Sequence, residues 1–135
     1  MIEKSNTNID AALWHAYSES YFRFEQEWIS HQYAVITAWN PYSKLRSNKE
    51  NCISNHELEQ CLKGMKYVPV TVGDKGFQWF EESYAVEIKP QKAIALAKIF
   101  KQNAIYYVVD GELYLISCVG EETRQVLGEI SDKLV

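Results

Sequence analysis

The 135-residue sequence predicts an α+β fold: a ferredoxin-like β-α-β-β-α-β sheet with an added C-terminal hairpin strand, an N-terminal helix and a C-terminal helix. Three observations carry that prediction. Residues 33–39 are a β-prone, mostly apolar run, of the kind found in strands buried on both faces, and the run stops at Trp39-Asn40-Pro41. Ser47-Asn48-Lys49-Glu50 has the spacing of a capping box and opens a helix. Asp110-Gly111, set between two apolar segments, is a two-residue hairpin signal.

In chain order, Thr7-Asn8-Ile9-Asp10 resembles a capping box, and Ile9, Ala12, Leu13, Ala16 and Tyr17 recur at helical spacing, so residues 8–18 are expected to form an amphipathic helix. Tyr21-Phe22-Arg23-Phe24-Glu25 alternates briefly and supports at most a short strand before an irregular segment to Gln32. After the strand at 33–39, Pro41 removes a ladder donor and keeps Asn40 out of the right-handed helical region, so the chain must turn. The helix opened by Ser47 runs to about Leu62 and stops at Gly64. Strands are expected at 67–72 and 83–88, with a turn at Gly73-Asp74-Lys75-Gly76. Pro90 suits the first turn of a helix over 90–102, whose narrow face of Ala93, Leu96, Ala97 and Phe100 favours close packing on a sheet. Two strands follow at 104–109 and 112–118. Val126, Leu127, Ile130 and Leu134 then give residues 121–135 helical spacing, weakened at Gly128 by about 1 kcal/mol relative to alanine.

Bulk properties bound the function. A 135-residue chain fits one domain, residues 1–135, able to bury roughly 70% of its unfolded surface. With 47% hydrophobic and 24% charged residues it does not resemble a disordered chain. No apolar run reaches the ~18 residues of a membrane span and the N-terminus lacks a signal peptide's apolar core, so no membrane association and a cytoplasmic location are expected. Cys52, Cys61 and Cys118 are odd in number and lack metal spacing. Cys52 and His56 form half a site at i, i+4 with no second pair, so neither a metal nor a cofactor is expected. The net charge of -4, without any extended Lys/Arg cluster, disfavours nucleic-acid binding, although Tyr106, Tyr107 and Tyr114 fall on the last strands.

The split β-α-β topology would bring four element ends to one edge of the sheet. Those ends hold Thr37, Trp39 and Asn40; Asn51; Trp79, Glu81, Glu82 and Ser83; and Gln102 and Asn103. Asn51, Asn55, Leu58 and Leu62 share one helical stripe, so the packed face turns polar toward the same edge and both amides need partners. Glu82, if dry, would have a raised pKa and serve as a general acid or base. Bland readings compete with each of these. Asn40 fits an Asx-turn, Trp39 a lid over the core, Asn103 a left-handed helix terminus, and Glu81 with Glu82 a solvated pair. Ser83 has no histidine near it in sequence to activate it.

The same residues carry a resemblance. Ile36 to Pro41 with Ser43 (I-T-A-W-N-P-x-S), Asn51, Asn55 and Leu58 (N-x-x-x-N-x-x-L), Trp79 with Glu82 and Ser83, and Gln102-Asn103-Ala104 resemble the motifs of a bacterial family of small stand-alone domains of unknown function. The resemblance covers a core of about 33–117 and implies no activity. Two functions are therefore weighed. One is a site for a small polar or nucleotide-like ligand formed by Thr37, Trp39, Asn40, Asn51, Asn55, Trp79, Ser83, Gln102 and Asn103, an enzyme if Glu82 transfers a proton. The other is an interaction module, with a structural polar network and a homodimer formed through residues 121–135.

Overall fold

A computed structural model describes residues 9–135, so the Thr7-Asn8 half of the expected first cap lies outside the described residues. Helix α1 spans Ala11–Ser18, with Asp10 as its N-cap accepting a hydrogen bond from the Ala12 N–H at 3.4 Å. Strand β1 (Tyr21–Phe24) and strand β2 (Gln32–Ile36) follow. Helix α2 (Asn48–Cys61) begins at the complete Ser47/Glu50 capping box, and strands β3 (Tyr67–Gly73) and β4 (Phe80–Val86) come next. Helix α3 (Pro90–Ile99) has its proline in the first turn, where no intrahelical donor is lost. Strands β5 (Ala104–Val109) and β6 (Glu112–Ser117) flank the Asp110-Gly111 turn, in which both residues have positive φ as a type I′ hairpin requires.

The sheet is not the expected ferredoxin-like one with a single added strand. Seven strands form one antiparallel sheet in the order β1-β3-β4-β2-β5-β6-β7, curled into a half-barrel. The reason lies in the second face. Along β2 and β5 the side chains alternate between two apolar clusters: Ala34, Ile36, Ile105 and Tyr107 pack with Leu58, Leu62, Ala93, Ile94 and Ala97 of the helices. Tyr33, Val35, Tyr106 and Val108 point the other way, where α2 and α3 contribute nothing. A flat sheet would leave that second face wet. Curling fills it with Phe22 from β1, Val70 and Val72 from β3, Leu113 from β6, and Ile130 near the C-terminus.

The C-terminal helix expected at 121–135 is absent. Residues Arg124–Glu129 form strand β7 and Ile130–Lys133 a single 3-10 turn. β7 pairs with β6 through a bulge between Leu113 and Tyr114, and Gly128 takes φ 105°, which L side chains rarely adopt. Leu127 and Ile130 enter the concave cluster while Val126 points outward at 52% exposure, so the four apolar residues share no face. The stripe on which a homodimer through residues 121–135 was based does not exist. The last residues instead meet the first strand: Leu134 bridges Phe22, and the Val135 N–H donates to the Phe22 carbonyl at 2.9 Å.

Phe22 is thus fully buried in the concave face and clamped from both sides. Phe22→Ala is expected to cost about 3–5 kcal/mol in urea denaturation. Ile99→Ala, at a residue 68% exposed, should stay within about 0.5 kcal/mol of the unsubstituted protein.

Candidate functional site

The polar site is built around the turn that ends β2. Asn40, Tyr42 and Ser43 all have positive φ, of 46°, 54° and 62°. Such backbone costs of order 1–3 kcal/mol per residue outside glycine and persists only where surrounding bonds over-determine it. Those bonds are present. The Asn40 N–H donates to Asn51 Oδ1 at 2.9 Å, and Asn51 Nδ2 returns a bond to Asn40 Oδ1 at 3.0 Å. The Arg46 N–H donates to the same Asn40 oxygen at 2.9 Å, and the Tyr42 N–H donates to the Lys101 carbonyl at 2.7 Å. One helical turn further along α2, Asn55 Oδ1 accepts from the Ala38 N–H at 2.8 Å while its Nδ2 donates to the Glu82 carbonyl at 2.9 Å. The two amides of the α2 stripe are therefore braces, each accepting from a backbone N–H of the turn segment, and they hold the turn against the sheet.

The braced turn forms one wall of a cavity at the mouth of the half-barrel, a usual position for ligand sites in curled sheets. Its inner end, of about 40 Å³, has room for a few ordered waters or one small head group. An outer chamber of about 490 Å³ shares Tyr17, Asn40, Ser43, Trp79 and Glu81 with the inner end. Leu13, Ala16 and Leu45 give the outer chamber apolar walls, and Trp79, 41% exposed, stands at the junction.

Glu81 is the carboxylate that reaches the inner end. It is half-buried on β4, and Oε2 accepts one hydrogen bond, from Asn40 Nδ2 at 2.9 Å. Burial raises its pKa from the ordinary 4.5 to about 7, the Asn40 bond lowering it by less. Opposite Glu81, Tyr17 Oη and Ser43 Oγ form a short hydrogen bond, and Asn103 Nδ2 donates to both oxygens, at 3.2 and 3.3 Å. Burial pushes the Tyr17 hydroxyl up, and the nearby Glu81 charge adds a smaller push in the same direction. Tyr106 Oη anchors the end of α1, contacting the Tyr17 carbonyl at 2.7 Å and Ser20 Oγ at 2.8 Å. Helix α1, none of whose residues is fully buried, is thereby held over the mouth by polar bonds.

Among the residues singled out from the sequence, Thr37, Asn40, Trp79, Ser83, Gln102 and Asn103 line this cavity. Asn51 and Asn55 stand behind it as braces. Trp39 is buried against the Phe80 ring at 5.9 Å, outside the lining, and its carbonyl accepts from Gln102 Nε2 at 3.0 Å. Glu82 lies on the opposite, helix-side face of β4. It is exposed, with Oε1 accepting from Thr71 Oγ1 at 2.7 Å, so the dry setting that made it a candidate acid or base is occupied by Glu81. Strand alternation decides between the two, because Glu81 and Ser83 share the concave face with Ala85 of its cluster. Tyr17, Ser43 and Tyr106 were not among the expected site residues. Ser43 stood in the family-like motif, but Tyr17 reaches the site only because α1 docks on the mouth. Tyr106 and Tyr107 donate through their hydroxyls to the Tyr17 and Ile88 carbonyls inside the domain.

Fold and site together define a small α+β domain whose curled antiparallel sheet carries a polar cavity at its mouth. The chain belongs to the family described as "Protein of unknown function (DUF3293)", whose model matches residues 36–105, just over half of the chain and most of the cavity's walls. No curated protein and no solved structure matches it. Among the described residues, no helix is long and apolar enough to cross a membrane and no three His, Cys, Asp or Glu side chains cluster as metal ligands would.

Asn51→Ala would leave the Asn40 N–H without its acceptor inside a strained turn. A loss of about 1–3 kcal/mol in thermal or urea unfolding is expected, together with faster amide exchange at Asn40 to Ser43.

Proposed function

We propose that the protein binds a small molecule at the mouth of the half-barrel, with Glu81 at the inner end as the group that hydrogen-bonds to it and exchanges a proton with it. One observation carries this reading. Glu81 is a half-buried carboxyl group whose one hydrogen-bond partner among the described residues is a neutral amide, in a cavity that opens into a chamber of ligand size. A carboxyl buried only for structure is normally paired with a cation or with several donors. A pKa near neutrality further suits a general acid or base acting on the bound molecule. The strained turn supports the same reading, since left-handed non-glycine residues concentrate at sites where side chains must be aimed.

The first test is a screen of small metabolites by the intrinsic fluorescence of the protein. Binding should shift the emission, Trp79→Phe should abolish most of that shift, and Glu81→Gln should weaken binding at least about 10-fold. A panel that shifts nothing in the unsubstituted protein would sink the proposal.

The second concerns pH. Because the folded pKa lies above the unfolded one, Glu81 stabilises the fold fully below pH 4.5, and its contribution is lost as pH rises through about 7. Glu81→Gln removes that titration. The stability of the variant relative to the unsubstituted protein is therefore expected to rise between pH 4.5 and 7, as read from melting temperatures across the range. A difference flat in pH would show that Glu81 is solvated and not poised for proton exchange.

A further inference from the structure

The chemical class of the ligand follows from a count of hydrogens at the inner end, and rests on the binding reading above. Tyr17 and Ser43 have two hydroxyl hydrogens between them, and the short bond joining their oxygens uses one. Asn103 donates to both oxygens and can accept neither hydrogen through its Nδ2. Among the described residues neither hydroxyl has another partner, so one hydroxyl hydrogen remains uncommitted at the cavity wall. Across the cavity, the Glu81 carboxyl offers oxygen to a donor. The hydroxyl pair thus offers a donor and Glu81 an acceptor at the inner end, whose lining also holds Thr37, Ser83, Gln102 and Asn103.

No lysine or arginine is among the described residues lining either chamber. A phosphate or carboxylate at the inner end would meet Glu81 with no lysine or arginine beside it, the outer chamber adds one histidine, His15, against two further carboxylates, Glu19 and Asp74, and an anionic head has only acceptors. An ammonium has only donors and would leave the hydroxyl hydrogen without an acceptor on the ligand. A neutral amide edge, with its carbonyl beside its N–H, satisfies both walls at once. The junction between the chambers is Trp79, a flat surface suited to an attached ring, with Leu13 and Leu45 beyond it.

We propose that the cavity takes an uncharged ring bearing an amide or lactam edge, its carbonyl accepting from the Tyr17/Ser43 hydroxyl pair and its N–H donating to Glu81, with the ring against Trp79. A nucleobase without its phosphates is within this class, whereas a nucleotide bound through phosphate is outside it.

The experiment is NMR titration of the full chain, following the Trp79 indole and the backbone amides of residues 40–43 with four probes: uracil, benzamide, benzylamine and benzoate. Uracil or benzamide should shift these resonances at concentrations at least 10-fold below those needed for benzylamine or benzoate. The Tyr17→Phe/Ser43→Gly pair of substitutions removes both hydroxyls, and glycine accepts the positive φ of Ser43 without strain, so the variant should stay folded. It should lose the amide preference by 10-fold or more, while Ser43→Gly alone, which leaves the Tyr17 hydroxyl hydrogen free, should lose less. Preferential binding of benzylamine or benzoate at the same resonances would overturn the amide class while leaving a ligand site in place. An amide preference unchanged in the double variant would also overturn it. Absence of any shift with all four probes would overturn both the class and the site.

Discussion

The structure depends on one constraint: the sheet carries apolar side chains on both faces, and the long helices cover only one. Ala34 and Ile36 face α2 and α3, while Tyr33 and Val35 beside them face away. At about 25 cal/mol per Å² of apolar surface, leaving the second face in water would forfeit a large part of the folding free energy. The sheet answers by curling until β1, β3, β6 and the C-terminal turn fill its concave side with their own side chains. Phe22 is the keystone of that arrangement, paired to β3 on one side and bonded to the last residue of the chain on the other.

The cavity is a product of the same curl. A half-barrel has a mouth, and at this mouth the apolar filling gives way to polar groups. Val35, Val72 and Leu115 line it together with Thr37, Ser83 and Glu81, Val72 standing directly across the sheet ladder from Glu81. What keeps the rim from collapsing is the braced turn, in which Asn51 and Asn55 supply acceptors that the sheet ladder no longer provides. The strand stops at Ile36 because the N–H groups of Ala38, Trp39 and Asn40 bond to the side chains of Asn55, Thr37 and Asn51. Proline's missing donor at position 41 is only the last of these causes.

Glu81 illustrates how burial and partner choice set chemistry. No lysine or arginine lines its cavity among the described residues, and desolvation prevails over the opposing Asn40 bond. Its neighbour Glu82 has the same chemistry one residue later, but lies on the helix-side face, where it is exposed and accepts a bond from Thr71. Strand parity, a property with a period of two residues, separates a half-buried carboxyl group on the cavity wall from an exposed one.

Much of this was legible from the residues alone. The capping box at Ser47, the hairpin at Asp110-Gly111, the turn at Asn40-Pro41 and the pairing need of Asn51 and Asn55 are local or single-element properties, set by backbone sterics and by the cost of unpaired polar groups, whereas the left-handed helix terminus expected at Asn103 falls at Lys101, with φ 58°. Of the residues named for that edge, Thr37, Asn40, Trp79, Ser83, Gln102 and Asn103 line one cavity, although the sheet formed is not the one that element order implied. The tertiary structure alone decided the rest. Whether β1 and β7 join the sheet depends on hydrogen bonds to strands 50 residues away for β1 and on the bulge opposite Leu113 for β7, and a weak helical stripe at 126–134 could not compete with them. That α1 lies over the mouth and brings Tyr17 to Ser43 and Asn103 is a contact across 26 and 86 residues, which no periodicity records. Local sequence sets which way each side chain points along its own strand; only the closing of the curled sheet determines which of them face one another.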